Sequence, residues 1–167
     1  MTLNKATTCC FTGHRIIPKY LYEPLRSALL SEIERSVLCG YDTFVSGAAL
    51  GFDMMAAEAV LELKEKYPHI KLKFAVPCTL HDAKWPTDQR LRLCELYKRC
   101  DDLVILSQGY TDSCMLDRNR YMVDNSSHCI SYCTKFRSGT GFTVRYAAKN
   151  GVRCTELSTQ LTKGTVI

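Results

Sequence analysis

A chain of 167 residues, with 46% hydrophobic and 23% charged residues, has the composition of one globular domain and leaves no room for a second catalytic domain. No apolar run reaches the roughly 18 residues of a membrane-spanning helix, and the N-terminus lacks the basic and apolar regions of a signal peptide. The formal charge of +5 is mild and scattered, so it permits an anionic ligand without demanding nucleic acid. We therefore expect one cytoplasmic domain, residues 1–167, with no membrane association.

The ten cysteines form no pattern typical of a metal site. No pair has C-x-x-C spacing and the four histidines do not cluster with cysteines, so we predict no zinc site. Without an export signal the thiols are expected to stay reduced. Most of them, including Cys39, Cys94 and Cys100 near predicted helix ends, are expected to act as small buried hydrophobic side chains.

The first predicted strand, residues 7–12, is short, apolar and β-prone, and it runs directly into Gly13, His14 and Arg15. Ligands of open α/β sheets lie at the carboxyl ends of strands, where this loop would be. The two basic side chains therefore indicate a ligand edge; the alternative is a solvated loop. A helix follows, with apolar residues at helical spacing over residues 25–37 and a glycine stop.

A second strand, residues 41–45, leads through the turn SGAALGFD (46–53) into a helix predicted over residues 51–66. Gly47 and Gly51 leave the backbone uncovered at a helix N-terminus, where unpaired N–H groups and a partial positive charge favour phosphate or carboxylate. The alternative is that the small residues only let the chain turn tightly.

Asp53 complicates the prediction of a phosphate site, because a carboxylate in the first helical turn can satisfy those N–H groups itself. It could also face a ligand. In the dinucleotide fingerprint the acidic residue stands well downstream of the glycines, so the position of Asp53 argues against an ordinary NAD site.

Residues 70–76 are predicted as a third strand, followed by a loop over residues 78–86 that contains the only tryptophan. Trp85 is predicted as an anchor of this loop, with a lid as the alternative. Thr87 is predicted to cap a further helix, and residues 102–106 form a fourth strand.

The segment 108–117 is turn-rich, and a helix is predicted over residues 118–124. Arg118, Asn119 and Arg120 would then stand near the beginning of that helix, where the dipole disfavours cations. A bound anion would relieve this conflict; the alternative is pairing with the flanking aspartates.

A fifth strand (129–133), a second glycine turn (137–141), a helix (142–149) and a sixth strand (153–157) complete the pattern, and residues 158–167 are predicted as a loose tail. Strands that alternate with helices predict an α/β fold, a three-layer Rossmann-like domain with a mainly parallel sheet. The glycine turns at Gly13, Gly47 and Gly139 should then meet at one crevice.

Four segments follow one another in this order: CFTGHR (10–15), SGAALGFD (46–53), RNRYMVD (118–124) and SGTGFTVRYA (138–147). Together with the Trp-Pro pair at 85–86, they resemble the YpsA family of the SLOG superfamily. The resemblance covers nearly the whole chain, a core of about residues 8–157. It implies a Rossmann-like domain that binds a nucleotide or nucleotide-derived ligand, such as ADP-ribose, NAD or a nucleoside monophosphate, as a sensor or regulator. It implies no settled reaction and no certain cofactor, and it leaves homo-oligomers open.

The residues and the resemblance together give one set of expected ligand-binding positions. They are Gly13, His14, Arg15, Ser46, Gly47, Ala48, Gly51, Asp53, Arg118, Asn119, Arg120, Ser138, Gly139, Thr140 and Thr143.

Two related families supply alternatives. The DNA-processing protein DprA has similar glycine turns and a similar R-N-R helix and binds single-stranded DNA, but this chain has no dense basic stripe with interleaved aromatic residues, so nucleic acid is not favoured. The Lonely Guy phosphoribohydrolases cleave nucleotide N-glycosidic bonds with a glutamate, and Thr143 stands at the matching position here. If the chain is such a hydrolase, its catalytic residues are unknown, with Asp53 a weak candidate.

Overall fold

A six-stranded sheet with helices on both faces forms the core of the protein in the computed structural model, which describes residues 1–163. The strands are β1 (Thr8–Gly13), β2 (Thr43–Ser46), β3 (Lys71–Val76), β4 (Asp102–Ile105), β5 (His128–Tyr132) and β6 (Arg153–Glu156). The helices are α1 (Tyr22–Leu38), α2 (Phe52–Lys66), α3 (Thr87–Arg99), α4 (Cys114–Asp124), α5 (Gly139–Lys149) and α6 (Ser158–Lys163), with short 3-10 turns at Lys5–Thr7 and Lys19–Leu21. The strand order is β4-β3-β2-β1-β5-β6 and every pairing is parallel, which confirms the predicted α/β Rossmann-like fold.

The sheet reverses its direction of growth at β1. From β1 the chain adds β2, β3 and β4 on one side, then crosses back and adds β5 and β6 on the other. Such a switch point opens a crevice at the carboxyl ends of the two central strands, here β1 and β5. The loops after β1, β2 and β5 all leave the sheet at this edge.

Two apolar layers enclose the sheet. Cys9 and Phe11 of β1 face the larger layer, with α1, α2 and α3, whereas Cys10 faces the smaller one, with α4 and α5. Both faces of the central strands are therefore buried, which explains why these strands have nearly continuous apolar sequences.

Two helices begin earlier than the sequence predicts. Helix α4 starts at Cys114, so Arg118 lies in its second turn and not at its beginning; Ser113 Oγ donates to Asp117 Oδ2 at 2.6 Å and stabilises the extra first turn. Helix α5 starts at Gly139, because Ser138 caps it by accepting the Gly141 N–H at 3.0 Å. Ser138 therefore caps α5, whereas Ser113 precedes α4 without a side-chain capping bond. Thr87 does not cap α3 either, because it is the first residue of that helix, after Pro86.

Three further expectations change. Residues 158–163 of the predicted loose tail form α6, which packs on the core through Leu161; residues 164–167 of that tail lie outside the described part. Cys39 and Cys94 are exposed, not buried, because Cys39 follows the end of α1 and Cys94 lies on the solvent side of α3. Trp85 is half-buried against the larger apolar layer, as an anchor would be. Among residues 1–163 no helix is long and apolar enough to cross a membrane.

Candidate functional site

A cavity of about 330 Å³ opens at the carboxyl edge of the sheet, beside the switch point. The end of β1, the turn before α2, the first half of α4 and the start of α5 surround it. The residues that line it are Thr12, Gly13, His14, Arg15, Ala49, Asp53, Met115, Leu116, Arg118, Asn119, Ser138, Gly139 and Thr140. The turns after β1, β2 and β5 therefore converge on one crevice, as the parallel topology predicts.

Nine of the fifteen expected positions line this cavity directly. The other six, Ser46, Gly47, Ala48, Gly51, Arg120 and Thr143, do not. Sequence reasoning missed Met115 and Leu116, because it placed them in a loop instead of the first turn of α4. It also missed the role of His81, whose Nε2–H donates to the Ala48 carbonyl at 3.0 Å and braces the turn before α2.

A buried ion pair forms one wall of the cavity. Arg118 and Asp53 are 5% and 4% exposed, and Arg118 Nη1 lies 3.9 Å from Asp53 Oδ2. The guanidinium Nε donates to Asn119 Oδ1 at 2.7 Å, whereas Nη1 has no hydrogen-bond partner among the described residues. A buried donor left unpaired costs about 1–3 kcal/mol, so the protein places here a cation that its own groups do not fully satisfy.

Gly47 and Gly51 are required for two different close approaches. A Cβ at Gly47 would lie 2.3 Å from Arg118 Nη1 and 2.6 Å from Asp53 Oδ2, so any side chain at this position would displace the ion pair. Gly51 has φ +77°, and a Cβ there would lie 2.2 Å from the Arg15 carbonyl oxygen. Both glycines therefore leave space for residues that line the cavity.

The N–H groups of this turn are directed at the protein's own oxygens. Those of Ala49 and Gly47 face the Asp53 carboxylate, and that of Ala48 lies 3.4 Å from Ser46 Oγ. Ser46 Oγ in turn donates to the Asp53 carbonyl at 2.9 Å. The Asp53 carboxylate thus faces donors that the glycine pattern alone would assign to a phosphate.

Burial raises the pKa of Asp53 to about 6, although Arg118, the N–H groups of Ala49 and Gly47, and Arg15 all act to lower it. Near neutral pH the carboxylate is ionised, and it takes up a proton under mildly acidic conditions. Burial also lowers the pKa of Arg118, which nevertheless stays protonated as an arginine.

His14 is held as a neutral imidazole. Its Nε2 accepts the N–H groups of Thr134 at 2.8 Å and of Lys135 at 3.2 Å, which fixes the ring proton on Nδ1. Burial, with a contribution from Lys135, lowers the pKa of His14. The Nδ1–H has no partner among the described residues and remains a donor.

The start of α5 provides the unpaired backbone donors that the first turn lacks. Ser138 Oγ satisfies the Gly141 N–H, but those of Gly139 and Thr140 form no hydrogen bond within residues 1–163. The buried Thr143 Oγ1 donates to the Gly139 carbonyl at 2.9 Å and helps to fix this first turn. An eleven-residue helix therefore directs its N-terminus, with its partial positive charge, at the cavity.

Arg120 lies on another face of α4. Its Nη1 pairs with Asp117 Oδ1 at 2.9 Å, and its guanidinium lies 5.2 Å from the centre of the Phe142 ring. The local pairing that the sequence left as an alternative is thus what the structure has for Arg120, whereas Arg118 lines the cavity. Among the described residues no three His, Cys, Asp or Glu side chains are placed to share a metal ion.

The model of the YspA SLOG family (YpsA) matches residues 16–157. The chain belongs to this family. Among its relatives, the uncharacterised SPbeta prophage-derived protein YoqJ of Bacillus subtilis is 30% identical over 118 residues, 64% of this chain and 69% of YoqJ. A UPF0398 protein of Brevibacillus brevis is 40% identical over 73 residues, 44% of this chain but only 35% of that longer protein.

Two solved structures share the fold of this YpsA-family chain. DNA processing protein A from Helicobacter pylori, which binds single-stranded DNA, has a TM-score of 0.63 and 19% identity, over 96% of this chain and 74% of that one. DNA processing protein A (DprA) from Streptococcus pneumoniae has a TM-score of 0.64 and 21% identity, over 92% of this chain and 50% of that one. At these identities the likeness concerns the fold.

Proposed function

We propose that the cavity binds a nucleotide or nucleotide-derived ligand, with the phosphate between the start of α5 and Arg118. The observation that carries the proposal is the convergence on one cavity of the Arg118 cation and of the N–H groups of Gly139 and Thr140, which no described residue accepts. A helix N-terminus beside a guanidinium is a strong anion site, because both supply donors and positive charge.

The charges around the cavity also favour an anion that carries a sugar. Arg15 and Arg118 contribute two positive charges against the single carboxylate of Asp53. In the proposed arrangement the Asp53 carboxylate accepts hydrogen bonds from ribose hydroxyls, and the Thr140 hydroxyl donates to one. A volume of about 330 Å³ suits a phosphate with its ribose. Binding without an assigned reaction fits a sensor or regulator.

A thermal-shift screen with ADP-ribose, NAD, nucleoside monophosphates and cyclic dinucleotides tests this proposal. A ligand at 100 times its Kd stabilises the folded state by about 2.7 kcal/mol, which is readily detected. Arg118→Gln should abolish the shift, whereas Arg120→Gln, a matched loss of charge on another face of the same helix, should retain it. Absence of a shift with every ligand at millimolar concentration would overturn the proposal.

Single-stranded nucleic acid is the second candidate, because a DprA protein of the same fold is described as binding single-stranded DNA. If several phosphates were neutralised, affinity for an oligonucleotide would fall steeply between about 50 and 200 mM salt. That result, with loss of binding in Arg118→Gln, would favour nucleic acid. Binding that is confined to very low salt and indifferent to Arg118 would exclude this candidate.

A further inference from the structure

A second groove, of about 530 Å³, adjoins the site cavity. His14 and Arg15 line both, so the two spaces meet at the segment that follows β1. We call this space the Tyr20 groove; its other lining residues include Ile16, Pro18, Tyr20, Tyr132 and Lys135. A ligand that fills the cavity and extends past Arg15 enters it.

The side chains of this groove suit a flat, uncharged group. Tyr20 is 78% exposed and Ile16 is 85% exposed. These side chains leave a large apolar surface open to solvent beside a polar cavity. Contiguous exposed apolar surface at a cleft is typical of a binding site. The cations Arg15 and Lys135 lie beside it and keep the phosphate side of a ligand close.

The groove also has a fixed donor at its inner end. The Tyr132 ring meets the His14 imidazole edge-on, with 5.8 Å between ring centres, and the backbone bonds to Nε2 hold that imidazole in place. His14 lines both spaces, and its Nδ1–H has no partner among residues 1–163. A heterocycle with acceptor nitrogens satisfies both the apolar surface and this donor.

We propose that the Tyr20 groove receives the nucleobase of the ligand whose phosphate lies at the start of α5. This inference rests on the proposed function and makes it more specific: the site selects base-bearing nucleotides over sugar phosphates. Stacking of a base on an aromatic side chain contributes about 1–3 kcal/mol. The base should therefore raise affinity about 5- to 150-fold over the same phosphate without it.

The test compares ADP-ribose with ribose 5-phosphate by calorimetric titration. Tyr20→Ala should weaken ADP-ribose about tenfold or more and leave ribose 5-phosphate unchanged, and Tyr20→Phe should restore ADP-ribose binding. Tyr110→Ala is the matched control, since Tyr110 is 70% exposed and lies outside both spaces. Because Tyr20 is so exposed, its replacement should leave folding intact.

The possible outcomes separate the two proposals. If wild type binds neither compound nor any other ligand of the thermal-shift screen, the proposed function and the base subsite both fail. If it binds both and Tyr20→Ala leaves ADP-ribose unchanged, or weakens both ligands equally, only the base subsite is overturned. Loss of oligonucleotide binding in Tyr20→Ala with unchanged ADP-ribose affinity would likewise overturn it and assign the groove to nucleic acid.

Discussion

Gly47→Ala adds one methyl group where the structure has no space for it. The new Cβ would lie 2.3 Å from Arg118 Nη1 and 2.6 Å from Asp53 Oδ2, so the guanidinium and the carboxylate must move apart by about 1 Å to reach ordinary contact. The backbone at Gly47 is not in the left-handed region, so the cost comes from the displaced ion pair alone. Overpacking of this kind costs about 1–3 kcal/mol, equivalent to about 2–12 °C in Tm for a chain of this size.

Ligand binding should suffer as well, because Arg118 leaves its position in the cavity wall. We expect ADP-ribose affinity to fall about tenfold or more, the loss of about 1.4 kcal/mol from a charge-assisted contact. Urea unfolding and calorimetric titration measure the two effects. Gly109→Ala is the control, because a Cβ there meets nothing within 4 Å. A Gly47→Ala protein with wild-type stability and affinity would refute the close-approach argument.

Three further predictions concern protons and chemistry. ADP-ribose, whose phosphates stay ionised, should bind on the order of tenfold more tightly as pH falls from about 7.5 to 5.5. The reason is that the bound anion raises the pKa of Asp53 above about 6, so that binding takes up a proton. Affinity that depends on pH just as steeply in Asp53→Asn would contradict this. Burial and Arg153 lower the pKa of His128 to about 4, so the unfolded chain binds the extra proton first and His128 reduces the unfolding free energy by up to about 3 kcal/mol between pH 6.5 and 4. Asp53 acts in the opposite direction, since its raised pKa adds stability as pH falls from about 6 to 4. The contribution of His128 is therefore the difference in unfolding free energy between wild type and His128→Asn, measured by urea unfolding across this pH range. Equal slopes of unfolding free energy against pH in the two proteins would refute the prediction. Finally, AMP should release no free adenine above the rate without protein, because Thr143 offers a hydroxyl that is already bonded to Gly139 and no carboxylate; release that Asp53→Asn abolishes would establish a hydrolase.

The parallel sheet and the edge where the site lies could be predicted from the sequence, because alternating strands and helices constrain a parallel sheet strongly. The order of the strands was not predicted and comes from the structure. The convergence of Gly13 and Gly139 on one cavity follows from that topology alone. The separate roles of Arg118 and Arg120 could not be predicted, since they depend on where α4 begins. A shift of four residues along a helix changes which side chains belong to its first turn, and Ser113, which precedes α4 without a side-chain capping bond, gives only a weak local signal.

Other features depend on contacts between distant parts of the chain. His14 accepts N–H groups from residues 120 or more positions away, and nothing in its own neighbourhood indicates this. The close contact of Gly47 with Arg118 is equally unpredictable from sequence, where the glycine indicates an uncovered backbone for an anion or a tight turn. The position of Asp53 in the first turn of α2 did suggest that its carboxylate could occupy the turn's donors, because that effect is local.

A crystal structure of the protein with bound ADP-ribose tests the central claim most directly. The account predicts phosphate density within hydrogen-bonding distance, about 2.7–3.2 Å, of the Gly139 and Thr140 N–H groups and of the Arg118 guanidinium. Density for the phosphates outside this cavity, or a cavity that stays empty at saturating ligand while the protein remains folded, would contradict it.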